Sequence, residues 1–133
     1  MTRLVLADTG PLYALSDPSD QHHQRAREQT TRLAAEGYLV AVTYPTISET
    51  YTLVLRRLGA HYAHGWIQQL LDGVVVINPE PGDYQEAVLR VVRYPDQLIT
   101  LFDALIAVLA EKMRQPVWSY DHHFDLMRAV RWD

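Results

Sequence analysis

Short apolar runs alternate with longer amphipathic segments along this chain, and this alternation limits its fold more than any other feature. The runs at 4–7, 38–42, 74–77 and 117–120 are predicted strands, and a further short strand is predicted near 130–132. Apolar residues at helical spacing predict helices at 11–15, 21–35, 45–58, 61–71, 83–93 and 101–113. Strands that alternate with helices form a parallel sheet covered on both faces, so we predict one α/β domain over residues 1–133.

The composition excludes several classes of protein. The chain has no cysteine, which excludes a disulfide framework and a thiolate metal site and is typical of a cytoplasmic protein. Its apolar runs fall short of the roughly 18 residues of a membrane span, and the run at 4–7 is too short for a signal peptide. The formal net charge of −4 argues weakly against a protein that simply coats nucleic acid. An enzyme that reaches phosphate through a metal ion is compatible with that charge.

An aspartate lies inside the most apolar predicted helix. Asp103 has no other polar neighbour in this helix until Glu111, and no lysine or arginine lies within one helical turn of it. A cap at Thr100 would make Asp103 an ordinary first-turn acid. A buried carboxylate otherwise needs charge compensation, so we favour a cation from outside the chain. Space for that ion is predicted beside three small residues, Ala104, Ala107 and Ala110.

Three further acids stand where they would surround the same crevice. Asp8 and Asp121 each follow a predicted strand, and the carboxyl ends of neighbouring parallel strands meet at one edge of a sheet. Glu49 lies near the start of a predicted helix. Each acid has a local alternative: turn chemistry for Asp8, a helix cap for Asp121, and a capping box with Thr46 for Glu49. Together the acids predict one crevice whose hard oxygen ligands select Mg²⁺ or Mn²⁺ over zinc.

These acids belong to motifs that follow one another in a fixed order along essentially the whole chain. The motifs are Leu6-Ala-Asp8-Thr9-Gly10, Asp20 with His23-x-x-Ala26, Glu49 ahead of Arg56-Arg-Leu-Gly59, Tyr94-Pro-Asp96 ahead of Asp103-Ala-Leu105, and Ser119-Tyr-Asp121-His-His-Phe124. In this order they resemble the PIN-domain family of metal-dependent ribonucleases, and most closely its VapC-type toxins of toxin–antitoxin pairs. The resemblance implies an α/β/α sandwich with a central parallel sheet of about five strands in the order 3-2-1-4-5.

The resemblance also implies the site and its supporting residues. Carried over by position, the acidic pocket that binds Mg²⁺ or Mn²⁺ consists of Asp8, Glu49, Asp103 and Asp121. Candidate supporting residues are Thr9, Ser119 and Asp125. The chain departs from the family at Ser119, where threonine is usual, and at Gly10, where the toxins often carry serine or asparagine.

The predicted function is therefore that of a metal-dependent endoribonuclease, with RNA as substrate. The resemblance implies an antitoxin partner and a homodimer, for which Tyr51, Tyr62 and Trp66 are a candidate face. Three alternatives stay open: a housekeeping nuclease without an antitoxin, a silent binding module whose acids only cap helices, and a receiver-like phosphoacceptor domain. The last would require paired acids after the first strand and a lysine near the end, whereas Asp8 is alone and Lys112 is the one lysine.

Histidines give weaker predictions. His61 and His64 share one helix face and suggest zinc, but no third ligand is evident, so a surface position is the default. His122 and His123 follow Asp121, and we expect at most one of them to face the substrate because adjacent side chains project differently.

The arginines and tryptophans of the chain have both a functional and an ordinary structural explanation. Arg56, Arg57 and Arg93 are candidate phosphate contacts, although exposure to solvent is the commoner state of a helical arginine. Trp66 and Trp118 are predicted to pack in the core or at an interface rather than to stack on bases.

Overall fold

The computed structural model describes residues 3–133, and within them it contains four strands and seven helices. The strands are β1 (Arg3–Ala7), β2 (Tyr38–Thr43), β3 (Val75–Ile77) and β4 (Val117–Trp118). The helices are α1 (Thr9–Ser16), α2 (His23–Ala35), α3 (Tyr44–Leu58), α4 (Ala60–Gly73), α5 (Pro81–Val92), α6 (Leu101–Met113) and α7 (His123–Leu126). The predicted alternation is confirmed. No helix among these residues is long and apolar enough to cross a bilayer.

The strands form one parallel sheet in the order β3-β2-β1-β4. The predicted fifth strand is reduced to one parallel bridge between Val117 and Arg131, beside β4. Two backbone hydrogen bonds hold this segment: Val117 donates to the Val130 carbonyl and Trp132 donates to the Val117 carbonyl, each at 2.8 Å. The order within the described sheet agrees with the expected 3-2-1-4-5, with the last strand shortened.

β4 is also shorter than the predicted 117–120. The Trp118 carbonyl accepts a hydrogen bond from the Asp8 backbone N–H at 3.0 Å, and the ladder ends there. The Ser119 side chain then accepts from the Asp121 N–H at 2.9 Å, which turns the chain away from the sheet. The polar residues of the predicted site therefore end this strand.

Helices cover both faces of the sheet, because successive side chains of a strand point to opposite sides. On β1, Leu6 packs with the apolar side chains of α6, together with Val117 and Phe124. Val5 and Ala7 belong to the cluster on the other face, with Trp118 and residues of α1 and α2. The predicted three-layer sandwich is confirmed, and Trp118, at 1% exposure, is a core residue as expected.

The alanines of α6 are packed rather than open. Ala104, Ala107 and Ala110 are buried in the cluster that joins α6 to Ala87 of α5. None of the three lines the acidic pocket described below. The interpretation of these alanines as room for an ion is therefore wrong: their small side chains allow two helices to approach closely.

A small apolar cluster joins α1, α3 and α4. Its buried members are Tyr13, Val54 and Ala63, and Tyr51 and Trp66 pack against it partly buried. Of the three residues predicted for a dimer face, Tyr62 is the exposed one, at 45%.

Candidate metal centre

The four predicted acids line one open pocket of about 460 Å³ at the carboxyl-terminal edge of the sheet. Asp8 follows β1, Asp121 follows β4, Glu49 lies on α3 and Asp103 lies in the first turn of α6. The other side chains and backbone that line it come from Thr9, Gly10, Thr100, Tyr120 and His122. The sequence prediction that these four elements meet at one crevice is confirmed by their positions.

Asp8 is the deepest of the four acids, with 7% of its surface exposed. Its Oδ1 accepts the Thr9 backbone N–H at 2.8 Å and its Oδ2 accepts the Ser119 hydroxyl at 2.8 Å. The pKa of Asp8 is raised to about 6, chiefly by burial and also by the nearby carboxylates of Glu49 and Asp121, while these two hydrogen bonds act to lower it. Asp8 also caps α1 through Oδ1, so a helix N-cap stands where the local alternative had turn chemistry, and it accounts for one oxygen only.

Glu49 does not cap its own helix. The N-cap of α3 is Thr43, whose hydroxyl accepts the Thr46 N–H at 3.1 Å, and Pro45 occupies the first turn. The Glu49 carboxylate instead accepts the hydroxyl proton of Thr9, which ties α3 to the start of α1. The alternative of a capping box with Thr46 is therefore wrong, because the helix begins earlier than that motif requires.

Asp103 combines a cap position with an unusual environment. Thr100 caps α6 by accepting the Asp103 N–H at 3.1 Å, as the local alternative proposed. The carboxyl group itself is 8% exposed and faces other acids. The pKa of Asp103 is raised to about 8, chiefly by burial and then by the charges of Asp8 and Asp121. A hydrogen bond between the carboxyl groups of Asp103 and Asp121 raises it too, because one of the two groups must be protonated to donate.

Asp121 lies at the rim, where it is one-third exposed. Its Oδ1 accepts the His123 N–H at 2.9 Å and so caps the short α7. Ser119 joins it to Asp8, since one hydroxyl accepts from the Asp121 N–H and donates to the Asp8 carboxylate. The expectation that Ser119 supports the site agrees with these contacts.

Two histidines stand beside Asp121 on the same side. The Nδ1 atoms of His122 and His123 lie 3.7 and 3.3 Å from Asp121 Oδ1, and their ring centroids are 4.5 Å apart. Of the two, His122 lines the acidic pocket and His123 does not, which agrees with the expectation that at most one of them faces the substrate. Ligand atoms of Asp121 and both histidines lie within 4.8 Å of one another, and no three of the four acids form a comparably tight group among residues 3–133.

No lysine or arginine within residues 3–133 compensates the charge of the pocket, since none forms an ion pair with any of the four acids. Carboxylate and hydroxyl oxygens are the donors that Mg²⁺ and Mn²⁺ prefer, and Mg²⁺ usually keeps several of its waters. A pocket of about 460 Å³ lined by four acids has room for a hydrated divalent cation.

Several predicted residues lie elsewhere. Asp125 is outside the pocket, because its carboxylate pairs with Arg131 at 3.0 Å on the exposed side of α7; its expected supporting role is not met. The Arg57 guanidinium stacks over the Tyr13 ring, 4.9 Å from its centroid. Arg93 lines a different cavity, at the opposite edge of the sheet. His61 and His64 on α4 belong to no group of potential metal ligands in the described part of the chain.

Two supporting features were missed in the sequence. Thr50 Oγ1 lies 3.1 Å from Thr9 Oγ1 and 2.8 Å from the Thr46 carbonyl, so it supports the hydroxyl that binds Glu49. The repeat of threonine at 43, 46 and 50 was the available signal. Tyr120 also lines the pocket, and its hydroxyl donates to Gln29 of α2 at 2.6 Å.

Comparisons with known proteins identify the same family that the sequence motifs resemble. The PIN domain family model matches residues 5–130. The solved structure of VapC20 from Mycobacterium tuberculosis, described as a sarcin-ricin loop cleaving toxin, superposes with a TM-score of 0.83 at 23% identity, covering 96% of this chain and 98% of that one. VapBC2 from Rickettsia felis, bound to a promoter DNA fragment, gives 0.75 at 14% identity, with coverage of 98% and 97%. VapBC-1 from nontypeable Haemophilus influenzae gives 0.73 at 13% identity, with coverage of 98% and 96%. No curated protein sequence matches the chain.

Proposed function

Because the chain belongs to the PIN-domain family, we propose that it is a divalent-metal-dependent endoribonuclease and that the acidic pocket is its active site. The observation that carries this proposal is the pair Asp8 and Asp103. Both are buried, both have a raised pKa, and neither has a basic partner in residues 3–133. Carboxyl groups that repel one another within one pocket and have strongly raised pKa values are typical of functional sites.

Some side chains of the pocket would bind the cation, and others orient these ligands by hydrogen bonds. We assign Asp8, Asp103 and Asp121, with Glu49, as the groups that hold Mg²⁺ or Mn²⁺. When bound, the ion would lower the pKa of a water molecule and offset charge on a phosphodiester. Ser119 fixes the orientation of Asp8 by its hydrogen bond.

The Thr9 hydroxyl performs the corresponding task for Glu49. Thr9 and Ser119 therefore orient two carboxylates that come from different elements of the fold. Such hydrogen bonds to ligating groups usually matter for metal affinity almost as much as the ligands themselves.

The toxin role is part of the same proposal. The structures similar to this one include a toxin described as cleaving the sarcin-ricin loop and several toxin–antitoxin complexes, which supports an antitoxin partner for this chain. A surface for protein partners is available on α5 and the segment before α6, where large apolar side chains are exposed: Val88, Leu89, Val92, Leu98 and Leu101. We propose that an antitoxin, a second copy of the chain in a homodimer, or both cover this surface in the cytoplasm.

The direct test is cleavage of RNA by the purified chain. Total RNA is incubated with Mn²⁺ or Mg²⁺, and the new ends are mapped by sequencing. We expect cleavage at defined positions that stops in EDTA and in the Asp8→Asn and Asp103→Asn variants. Metal-dependent cleavage that survives in both variants would contradict the assignment of the site.

Two alternatives are separated by further observations. Growth arrest on expression, relieved by the product of a small neighbouring reading frame, distinguishes a toxin from a housekeeping nuclease. A chain that neither binds Mn²⁺ nor cuts any RNA would be a silent binding module.

A further inference from the structure

A second cavity, of about 1030 Å³, opens at the edge of the sheet opposite the acids. Tyr38 at the start of β2 and Pro116 just before β4 form part of its wall, which places it at the amino-terminal ends of the strands. The carboxyl-terminal turns of α5 and α6 and the segment 127–133 complete it. The proposed active site does not use this cavity, although Tyr94 of one sequence motif and Arg93, a candidate phosphate contact, line it.

Arginine dominates the lining of this cavity. Five of the chain's eleven arginines line it: Arg90, Arg93, Arg114, Arg128 and Arg131. Two of them have carboxylate partners, since Arg90 pairs with Glu111 and Arg131 pairs with Asp125. The other three form no ion pair within residues 3–133. The lining also includes three acidic residues, Glu36, Glu111 and Asp133, so the arginines outnumber the acids on this concave surface in a chain whose net charge is −4.

Two of these arginines occupy backbone that disfavours them. Arg114 has φ 55° and Arg128 has φ 60°, and they are the non-glycine residues with positive φ in the part of the chain that the structure describes. Glycine adopts this conformation without a penalty, and asparagine tolerates it better than arginine does. At both positions the chain therefore has an arginine although the backbone conformation favours glycine or asparagine.

The ordinary explanation for arginines at helix ends covers only part of the set. Arg93 and Arg114 are the C-caps of α5 and α6, where positive charge interacts favourably with the helix dipole. Arg128 follows α7, a helix of four residues whose dipole is small. In addition, the Nε atom of Arg90 is buried with no hydrogen-bond partner among the described residues.

Two of the three aromatic rings that line the cavity already carry an arginine, and the third is Tyr94, whose hydroxyl donates to the Leu126 carbonyl at 2.8 Å. The Trp132 ring carries the Arg32 guanidinium 4.2 Å from its centroid, and the Tyr38 ring carries that of Arg3 at 5.4 Å. Stacking of a nucleobase on these faces would have to displace an arginine. The chemistry that remains is a charged one, in which forked guanidinium groups bind phosphate oxygens in pairs.

We propose that this cavity is a phosphate-binding site, built by the arginines on α5, α6 and the carboxyl-terminal segment. Its phosphate belongs either to the backbone of an RNA strand or to a free nucleotide or inorganic phosphate. The proposal does not depend on the acidic pocket, which lies at the other edge of the sheet and binds cations in our account.

The test is a binding titration of the intact chain in EDTA, where the acidic pocket has no metal with which to engage phosphate. The probes are inorganic phosphate, AMP, a short single-stranded RNA and a polyglutamate peptide, each followed by calorimetry. The variants are Arg128→Gly and Arg93→Gln, and the matched control is Arg27→Gln, which removes an exposed arginine of α2 outside the cavity. Arg128→Gly should melt no lower than the parent chain, because glycine relieves the positive φ.

We expect saturable, salt-sensitive binding of a phosphate-bearing probe, weakened about tenfold or more in both cavity variants and unchanged in the control. RNA that binds much more tightly than AMP identifies a nucleic-acid strand as the source, and comparable affinities identify a free phosphate compound. The proposal is overturned if no phosphate-bearing probe binds, if the cavity variants bind like the control, or if only the polyglutamate peptide binds.

Discussion

Replacing Asp103 by asparagine should stabilise the metal-free protein, and the gain should grow with pH. Asp103 is 8% exposed, and burial together with Asp8 and Asp121 raises its pKa from 3.8 to about 8. A carboxyl group whose pKa is raised by folding imposes no cost below its unfolded pKa, and it reduces stability as pH rises from about 4 through 8. The slope is about 1.4 kcal/mol per pH unit, so the cost at pH 7 reaches about 4 kcal/mol. An asparagine of similar size avoids this cost, but its buried amide itself destabilises the fold by about 1 kcal/mol.

The assay is urea unfolding of both proteins in EDTA at pH 5, 6, 7 and 8. We expect the two free energies of unfolding to be close near pH 4–5 and to separate by about 3 kcal/mol at pH 7. Asp125→Asn is the matched control, because that carboxylate is exposed and paired with Arg131, and it should show no such pH-dependent gain. A difference that does not change with pH, or a variant less stable than the parent at pH 8, would refute the reasoning.

Substitutions at four further positions test the site and the helices. Ser119→Ala removes the hydroxyl that donates to Asp8 at 2.8 Å, so it should raise the pKa of that carboxyl group further and weaken Mn²⁺ binding about tenfold by calorimetry. Thr9→Val removes the donor to the carboxylate on α3, and it should slow RNA cleavage about tenfold with thermal unfolding unchanged, whereas Thr9→Ser should retain the rate. Gly59→Ala should reduce the free energy of unfolding by about 1 kcal/mol or more in urea, because φ is 91° there. Gly65→Ala, inside α4 with open space for a methyl group, should instead increase it by about 0.5–1 kcal/mol.

The parts of the fold that sequence predicted are those set by local pattern. Apolar runs such as 38–42 and the helical spacing of α3 depend on neighbouring residues only, and both elements formed as predicted. Asp103 was identified for the same reason, since a lone acid in an apolar helix is visible in any short window. The shortening of β4 was not visible, because the Ser119 side chain that ends the strand also donates a hydrogen bond to Asp8, 111 residues away in the chain.

Where sequence reasoning failed, the competing possibilities differed by only a few residues. The role of Glu49 depended on whether α3 begins at Thr43 or Thr46, and both threonines are good caps.

The arginine cavity was beyond sequence reasoning for a different reason. Its arginines come from three separate segments of the chain. The positive φ angles of Arg114 and Arg128 cannot be inferred from the amino-acid sequence. Only the packing of α5, α6 and the terminal segment brings these side chains to one surface.

The central claim is that the acidic pocket binds a divalent cation, and a calorimetric titration with Mn²⁺ tests it most directly. The parent chain, Asp103→Asn and the control Asp125→Asn are titrated under identical conditions after removal of metal with EDTA. The account predicts saturable binding in the parent and the control, weakened at least tenfold in Asp103→Asn. Absence of saturable binding in the parent, or equal affinity in Asp103→Asn, would contradict it.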